Sequence, residues 1–372
     1  MAIGVAALIL TLSVMRGFED EVENKVASMD GHLRLANALG QDVPLPDSLI
    51  SKLRAHPEVE SVIPYVARHA LVRRSSRSDG IFLMGADLQQ LQGVVDIGSF
   101  LTAGKLPPTG DTSAIIIGDK LAQQLGVNPG EKIILFDFNY LLGSQGIRGR
   151  EFTVAATYHS GMAEYDQLLG FTSLGAAQAL FGLQKPPSKA IINVENRERA
   201  EVLAASIEED LGFPYYLISW RQRHASLFNW LQGQQLPILI VFGFIAAVAL
   251  LNIFSTLSLV VVEKRRDIGI LRSLGFSRRR IQGIFLYQGG IVGLVGSGAG
   301  IALALLLGNL QRKYQFLALD SDIYFMDALP IQWSWQSLVL IPSLGLVLSL
   351  LAAVWPARRA ATIRPAEALR YE

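Results

Sequence analysis

Three long apolar stretches lie between residue 236 and the C-terminus, and each is long enough to cross a lipid bilayer. They run over residues 236–262, 281–310 and 337–355, and a helix needs about 20 apolar residues to span the hydrocarbon core. With 51% hydrophobic and 17% charged residues, the chain is too apolar for an ordinary soluble domain and too charged for a wholly embedded one. The sequence therefore predicts a membrane protein with a large soluble part.

The loop between the first two of these stretches is strongly basic. Residues 263–280 contain seven Lys or Arg side chains and two acidic ones, and short loops of this kind remain on the cytoplasmic side of a membrane. The tail 358–372 is also rich in arginine, so we expect it on the same side. The loop 311–335 and the soluble part before residue 226 then lie outside. The net charge of +1 gives no basic footprint for nucleic acid.

The N-terminus is apolar but short. Residues 1–15 carry no charge and are followed by Arg16 and an acidic stretch. A signal peptide is one interpretation, but a basic N-terminal region and a small-residue cleavage site are missing. We expect instead a transmembrane helix whose start has been lost. Apolar residues continue at helical spacing beyond it, so this helix is expected to project out of the membrane.

Together these features predict a membrane α-helical bundle of four transmembrane helices, with a large α/β domain inserted between helices 1 and 2. The predicted segments are helix 1 with its extension (1–29), the α/β domain (30–225), helix 2 (226–262), a cytoplasmic coupling segment (263–280), helix 3 (281–310), an outer loop (311–335), helix 4 (336–357) and the cytoplasmic tail (358–372). In helix 3, small residues at spacings of three and four share one face and predict close helix packing. They are Gly289, Gly293, Gly296 and Gly300.

The predicted α/β domain divides into two parts. Its β-rich runs alternate with helical patterns, and turn signals separate them. We expect residues 30–85 and 188–225 to form one α/β subdomain, with residues 86–187 inserted as a second. Within the insert, residues 136–150 have the pattern of a β-hairpin arm with Tyr140, Leu141 and Leu142 at its tip. An ordinary surface loop is the alternative, because glycine-containing loops between strands are common.

The basic loop also contains a short amphipathic pattern. Ile268, Leu271 and Leu274 fall on one face of a short predicted helix. Polar or small residues surround this face, namely Glu263, Arg266, Asp267, Arg272 and Gly275. An apolar ridge with charged flanks can dock into a groove of a soluble partner. The alternative is a cytoplasmic loop that merely follows the charge rule for membrane proteins.

Catalytic chemistry finds no support in the sequence. The five histidines are scattered without metal-ligand spacing, and the absence of cysteine excludes disulfides and thiolate metal sites. A phosphate-binding G-x-x-x-x-G-K-[ST] motif is also absent. We therefore predict no catalytic residue and no metal site, and the chain is not expected to be an enzyme or to hold a cofactor.

Four sequence segments resemble one family of membrane proteins. They are GVAALILTLSVMRGFEDEV near the N-terminus, EKRRDIGILRSLGFSRRRI in the basic loop, IYFMDALPIQW in the outer loop and PARRAATIRPAEALRYE at the C-terminus. These segments are similar to the LolC/LolE lipoprotein-releasing permeases, within the wider group of ABC permeases that includes MacB and FtsX. Two alternatives remain open, which are a MacB-like exporter and an FtsX-like signalling permease.

The resemblance implies a set of partners. Two permeases, identical or different, would pair with a dimer of a separate LolD-like cytoplasmic ATPase, which binds the ATP and magnesium. The complex would sit in the inner membrane of a Gram-negative bacterium, with the large domain in the periplasm. It would take triacylated lipoproteins from the outer leaflet of that membrane, in contact with membrane lipid, and pass them to a LolA-like periplasmic carrier.

The resemblance also implies roles for three groups of residues. The amphipathic segment around Ile268 would couple to the ATPase. The hairpin arm, with Arg148 and Arg150 beside its apolar tip, would hold the carrier. Apolar residues at the outer ends of the first two spans would receive the lipoprotein, namely Met15, Phe18, Val22, Val26, Phe228, Leu231 and Leu236. Simple helix packing is the alternative for each of these seven residues.

Overall fold

The computed structural model describes residues 1–38, 44–137, 148–319, 326 and 328–363. Two compact units divide the chain. The helical unit comprises Met1–Asp20, Asn229–Ala318 and Ala328–Glu372. The α/β unit comprises Glu21–Phe228 and Leu319–Asp327.

Among the described residues, four helices or helix pairs are long and apolar enough to cross a membrane. They are Ala2–Asp30, Ala225–Glu263, Arg278–Tyr314 and Trp335–Thr362. In chain order, the helices are α1 (Ala2–Asp30), α2 (Asp47–Arg54), α3 (Leu88–Gln92), α4 (Asp119–Leu125), α5 (Ala163–Leu168), α6 (Leu174–Phe181), α7 (Ala200–Leu211), α8 (Trp220–Arg223), α9 (Ala225–Gly233), α10 (Gln235–Glu263), α11 (Arg265–Ser273), α12 (Arg278–Tyr314) and α13 (Trp335–Thr362). Short 3-10 turns occupy Ile97–Phe100 and Arg197–Arg199.

Helix α12 begins before the apolar stretch predicted for helix 3, because a local cap sets its start. Helix α12 begins within the predicted coupling segment, where the Ser277 side chain accepts a hydrogen bond from the Arg280 amide at 3.4 Å. A serine in this position satisfies an amide that has no partner inside the helix. The coupling segment therefore contains its own helix α11, a short turn and the first residues of α12.

Small residues bring α12 and α13 close together. A Cβ added at Gly289 would lie 2.5 Å from the Ala353 Cβ, and the Ser349 hydroxyl donates to the Gly289 carbonyl at 2.6 Å. At Gly293 an added Cβ would lie 2.9 Å from the Ser349 Cβ. Such close backbone approach is typical of packing between apolar helices in lipid. Farther along α12, a Cβ added at Gly300 would lie 2.7 Å from the Val5 Cβ of α1.

The α/β unit is built on one ten-stranded sheet. Its strands are β1 (Leu33–Asn37), β2 (Val59–Arg74), β3 (Arg77–Ala86), β4 (Leu101–Gly104), β5 (Ala114–Gly118), β6 (Lys132–Asp137), β7 (Gly149–Tyr158), β8 (Leu169–Ser173), β9 (Lys189–Val194) and β10 (Tyr215–Ser219). They lie in the order β10-β1-β9-β2-β3-β8-β5-β7-β4, and β6 pairs with both β2 and β7.

Strands from both parts of the predicted division belong to this one sheet. One half of the order comes from residues 33–86 and 189–219, and the other from residues 101–173. The halves meet where β3 runs parallel to β8, with Phe82 opposite Leu169, and where β2 runs antiparallel to β6, with Leu71 opposite Phe136. The predicted insert is therefore joined edge to edge to the sheet of the other part.

Two apolar cores flank the sheet because side chains alternate along its strands. Ile115 and Ile117 of β5 belong to one core, together with residues of α4 and α6. Ile116, between them, belongs to the other core, which also contains Tyr158 and Phe171. All five side chains are fully buried. Strands covered on both faces in this way are nearly continuous apolar runs in sequence.

Candidate functional site

The predicted coupling segment folds as a nine-residue helix with a defined stop. Helix α11 begins after Lys264, whose ammonium lies 3.2 Å from the Asp267 carboxylate. It ends at Ser273, Leu274 caps it, and the Phe276 amide donates a hydrogen bond to the Leu271 carbonyl at 3.1 Å. Gly275 takes φ +91°, a conformation that other residues adopt at a cost. The glycine therefore fixes where the helix ends and the next one starts.

The structure corrects the predicted apolar ridge of this helix. Ile268 is only 4% exposed, and it packs with Ile281, Phe285 and Ala357 of the neighbouring helices. Leu271 is half-buried in the same cluster. Of the three predicted ridge residues, Leu274 alone presents a large exposed surface, at 72%. The ridge therefore anchors α11 to its own chain, because the apolar ends of α12 and α13 offer it a core.

The outward side of the segment is a different set of residues. Leu274 is joined there by Ile270, which is 42% exposed and lies one helical turn earlier. Glu263, Arg266 and Asp267 are exposed as well. The sequence prediction missed Ile270, although its spacing of four from Leu274 would have placed the two on one face.

The two remaining residues of the predicted set differ in exposure. Arg272 is half-buried, and its guanidinium donates to the Ala361 carbonyl at 3.4 Å. Gly275 is exposed. The segment thus presents an exposed apolar pair, Ile270 and Leu274, with charged side chains around it. Its opposite face packs against helices α12 and α13.

The seven residues predicted to receive lipoprotein are not equally accessible. In the α/β unit, Val22 and Val26 are buried, and Phe228 packs edge-on against Trp220 with 5.3 Å between ring centroids. The structure therefore favours the packing alternative for these three residues.

The other four lie in the helical unit. Leu231 is also buried, whereas Met15 and Phe18 are half-exposed and Leu236 is 65% exposed. Only Met15, Phe18 and Leu236 therefore have surface that a ligand could reach on this chain. Their role in lipoprotein binding stays a prediction.

A small apolar cavity within the helical unit was not predicted. It has a volume of about 70 Å³ and is lined by residues of α1, α10 and α13, among them Val5, Leu8, Ile253 and Leu344. Ligand pockets usually have volumes of roughly 300–1,000 Å³. The cavity is therefore too small for a set of acyl chains in this conformation.

The predicted hairpin arm is flanked by paired strands. Strands β6 and β7 run antiparallel, with Phe136 opposite Gly149. Tyr140, Leu141 and Leu142 lie outside the described residues. Arg148 has polar or charged partners, and the Arg150 guanidinium lies 5.7 Å from the centre of the Phe152 ring.

A larger cavity lies in the α/β unit beside a buried cluster of charges. Its volume is about 560 Å³, and its apolar wall includes Ile81, Phe82 and Met84. Its charged wall includes Asp30 and Arg34, and both side chains are more than nine-tenths buried. Predictions from sequence missed this cavity because its residues come from five separate segments.

Two aspartates and a histidine lie close together in the α/β unit. Asp119, His159 and Asp166 place their possible ligand atoms within 4.8 Å of one another. The His159 Nδ1 atom lies 3.1 Å from Asp119 and 3.4 Å from Asp166. Burial raises the pKa of Asp166, although hydrogen bonds from Ser160 and the nearby His159 oppose the shift. No motif in the sequence marks this group, because Asp119 lies in α4, His159 follows β7 and Asp166 lies in α5.

Comparison with known proteins decides the family. An FtsX-like permease C-terminal model matches residues 239–365, and a MacB-like periplasmic core domain model matches residues 1–210. The transmembrane protein LolC of the lipoprotein-releasing system of Neisseria meningitidis is 31% identical, over all of this chain and 92% of that protein. The chain belongs to the LolC/LolE family. The resemblance of its sequence motifs is thereby confirmed.

LolE of another bacterium is a further relative, and a solved periplasmic region is also similar to this chain. LolE of Haemophilus influenzae is 27% identical over 99% of this chain and 92% of that protein. The solved periplasmic region of MacB from Actinobacillus actinomycetemcomitans is 14% identical and covers 56% of this chain and 98% of its own, with a TM-score of 0.40. LolC/LolE proteins are transmembrane proteins of a lipoprotein-releasing system, which fits the four candidate spans and the α/β unit of this chain.

Proposed function

We propose that this chain is the permease subunit of an ABC complex that extracts lipoproteins from the inner membrane and passes them to a periplasmic carrier. The observation that carries the proposal is the match with LolC and LolE over essentially the whole chain. A separate cytoplasmic ATPase supplies the energy, because the sequence contains no phosphate-binding loop of its own. A second permease, the same or different, completes the complex.

The charge distribution supports the orientation that this function requires. The segment 263–280 carries seven basic and two acidic residues, which favours the cytoplasmic side. Helices α1 and α10 then lead to and from the α/β unit on the opposite side, in the periplasm. With this orientation, the domain inserted between spans 1 and 2 meets the carrier, and α11 meets the ATPase.

Energetics explain why such a complex needs ATP. Exposing acyl chains to water costs about 0.8 kcal/mol per CH₂ group, so three chains cost on the order of tens of kcal/mol. Extraction therefore needs an energy source and an apolar surface that shields the chains. Within the predicted receiving group, Met15, Phe18 and Leu236 offer accessible apolar surface.

Coupling and transfer use separate parts of the chain. Ile270 and Leu274 form the apolar contact with the ATPase, and the charges around them orient it. The arm between β6 and β7 holds the carrier, with Arg148 and Arg150 facing its acidic groups.

A photocrosslinking residue at Phe18 tests the proposal directly. The variant is expressed with the ATPase, the second permease and a triacylated lipoprotein. We expect lipoprotein to be captured at this position because Phe18 presents apolar surface at the outer part of α1, and we expect ATP to reduce the capture. Crosslinked bands identified by mass spectrometry provide the measurement.

A probe at Phe213 serves as the matched control, because this aromatic side chain is 78% exposed and is not a member of the predicted receiving group. Capture at Phe18 and not at Phe213 supports extraction. If the assembled complex hydrolyses ATP but captures no lipoprotein at Phe18, extraction is excluded, and export or signalling takes its place.

A further inference from the structure

The last residue of α1 is a buried carboxylate held by three basic side chains. Asp30 is 1% exposed. Its Oδ1 atom lies 2.6 Å from an Arg34 nitrogen and 3.1 Å from an Arg223 nitrogen, and its Oδ2 atom lies 3.1 Å from the His224 Nε2 atom. Arg223 ends α8, and His224 precedes α9, which continues toward the second candidate span. The carboxylate therefore joins the point where the chain enters the α/β unit to the point where it leaves.

The same cluster reaches both halves of the sheet. Arg34, in strand β1, donates to the Tyr65 hydroxyl of β2 at 3.2 Å. The Tyr165 hydroxyl of α5 lies 3.3 Å from the His224 Nε2 atom, and α5 belongs to the half formed by residues 101–173. Strands and helices from each half thus contact one charged centre, which we call the Asp30 cluster (Asp30, Arg34, Arg223 and His224).

Two further contacts fasten the end of α1 to the chain that follows the sheet. Arg221 of α8 lies 2.7 Å from the Glu23 carboxylate. Arg197 donates to the Asn24 side chain at 2.6 Å. The last two turns of α1 are therefore held by polar contacts from residues 197–224 on several sides.

Stability alone does not explain why this centre is ionic. Moving charges out of water is costly, and a buried ion pair replaced by apolar residues of similar size often leaves a protein equally stable or more stable. Charged hydrogen bonds differ from apolar contacts in fixing distance and direction. An ionic centre thus keeps the end of α1 in one position relative to α8, and an apolar contact would allow sliding.

From this arrangement we propose that Asp30 is a positioning residue for energy transfer within the complex. It keeps the end of α1, α8 and the two halves of the sheet moving as one body when ATP is consumed, so that helix movement becomes movement of the α/β unit. The inference rests on the proposed function, since it concerns the step that couples ATP hydrolysis to release.

The test compares Asp30→Asn with the unaltered chain in proteoliposomes that contain the ATPase, the second permease and a triacylated lipoprotein, with the carrier outside. ATP hydrolysis and lipoprotein released are both measured. We expect hydrolysis to persist while release per ATP falls by about fivefold or more, the range of typical coupling between sites. Arg199→Gln is the matched control, because it breaks an exposed ion pair with Glu58 in the same unit.

A second control separates coupling from stability. Leu53→Ala empties a buried site of α2 and lowers stability without touching the Asp30 cluster. Release per ATP should stay unchanged in Leu53→Ala even where its thermal stability falls as far as that of Asp30→Asn. If Asp30→Asn does not assemble, Arg223→Met, which removes one partly exposed partner, must show the same uncoupling.

The outcomes distinguish the two proposals. Absence of ATP-driven release by the unaltered complex overturns the proposed function itself. Normal release by the unaltered complex, with equal release per ATP in Asp30→Asn, overturns the role of Asp30 and makes its cluster a purely structural feature. An equal fall of release per ATP in Leu53→Ala and Asp30→Asn also overturns it.

Discussion

Replacing Gly289 by valine is expected to separate α12 from α13 and to destabilise the helical unit. A Cβ at this position would lie 2.5 Å from the Ala353 Cβ, closer than two carbons can approach, and Ala353 is fully buried. The helices must move apart, which also breaks the 2.6 Å hydrogen bond from Ser349 to the Gly289 carbonyl. Overpacking of this kind costs about 1–3 kcal/mol or more, and the lost hydrogen bond adds about 1 kcal/mol.

The measurement is the thermal stability of the detergent-solubilised protein, determined as the fraction that remains folded and monodisperse after heating. Gly298→Val provides the matched control on the same helix, because an added Cβ there meets nothing within 4 Å. We expect Gly298→Val to stay close to the unaltered protein. Equal stability of the two variants would show that the close approach of α12 and α13 at Gly289 is not required.

The glycine spacing illustrates what sequence alone could predict. Residues at intervals of three or four must share a helix face, so close packing along α12 followed from geometry. Gly289, Gly293 and Gly300 do meet neighbouring helices. Four candidate spans and an α/β unit are likewise confirmed, since long apolar runs and alternating patterns are local properties of the sequence.

Long-range contacts explain what the sequence could not predict. Strand β3 pairs with β8, although four strands lie between them in the chain. No local sequence pattern indicates that these two strands are neighbours in one sheet. The direction in which Ile268 points depends on Ile281 and Ala357 of other helices. Similarly, Asp30 and His224 lie 194 residues apart in the sequence, and only the tertiary fold brings them into contact. Amphipathic spacing predicted a face on α11, but tertiary packing decided which face is outward.

Replacing Leu274 by aspartate is expected to uncouple the permease from its ATPase without unfolding the chain. Leu274 is 72% exposed at the end of α11, so the substitution removes little buried surface within this protein. At the proposed docking interface, however, it would place a charge in a contact that we expect to be apolar. We expect the affinity for the ATPase to fall by about tenfold or more, which corresponds to about 1.4 kcal/mol, and ATP-driven lipoprotein release to fall with it.

The measurement is binding of the purified ATPase to the permease in nanodiscs, together with release in proteoliposomes. Val202→Asp is the matched control, because Val202 is 69% exposed on α7 of the α/β unit. That variant should bind the ATPase normally. Ile270→Asp should weaken binding as Leu274→Asp does, because Ile270 lies one turn earlier on the outward side. Unchanged ATPase affinity in both α11 variants would exclude this surface from the interface and return the basic segment to a role in membrane orientation alone.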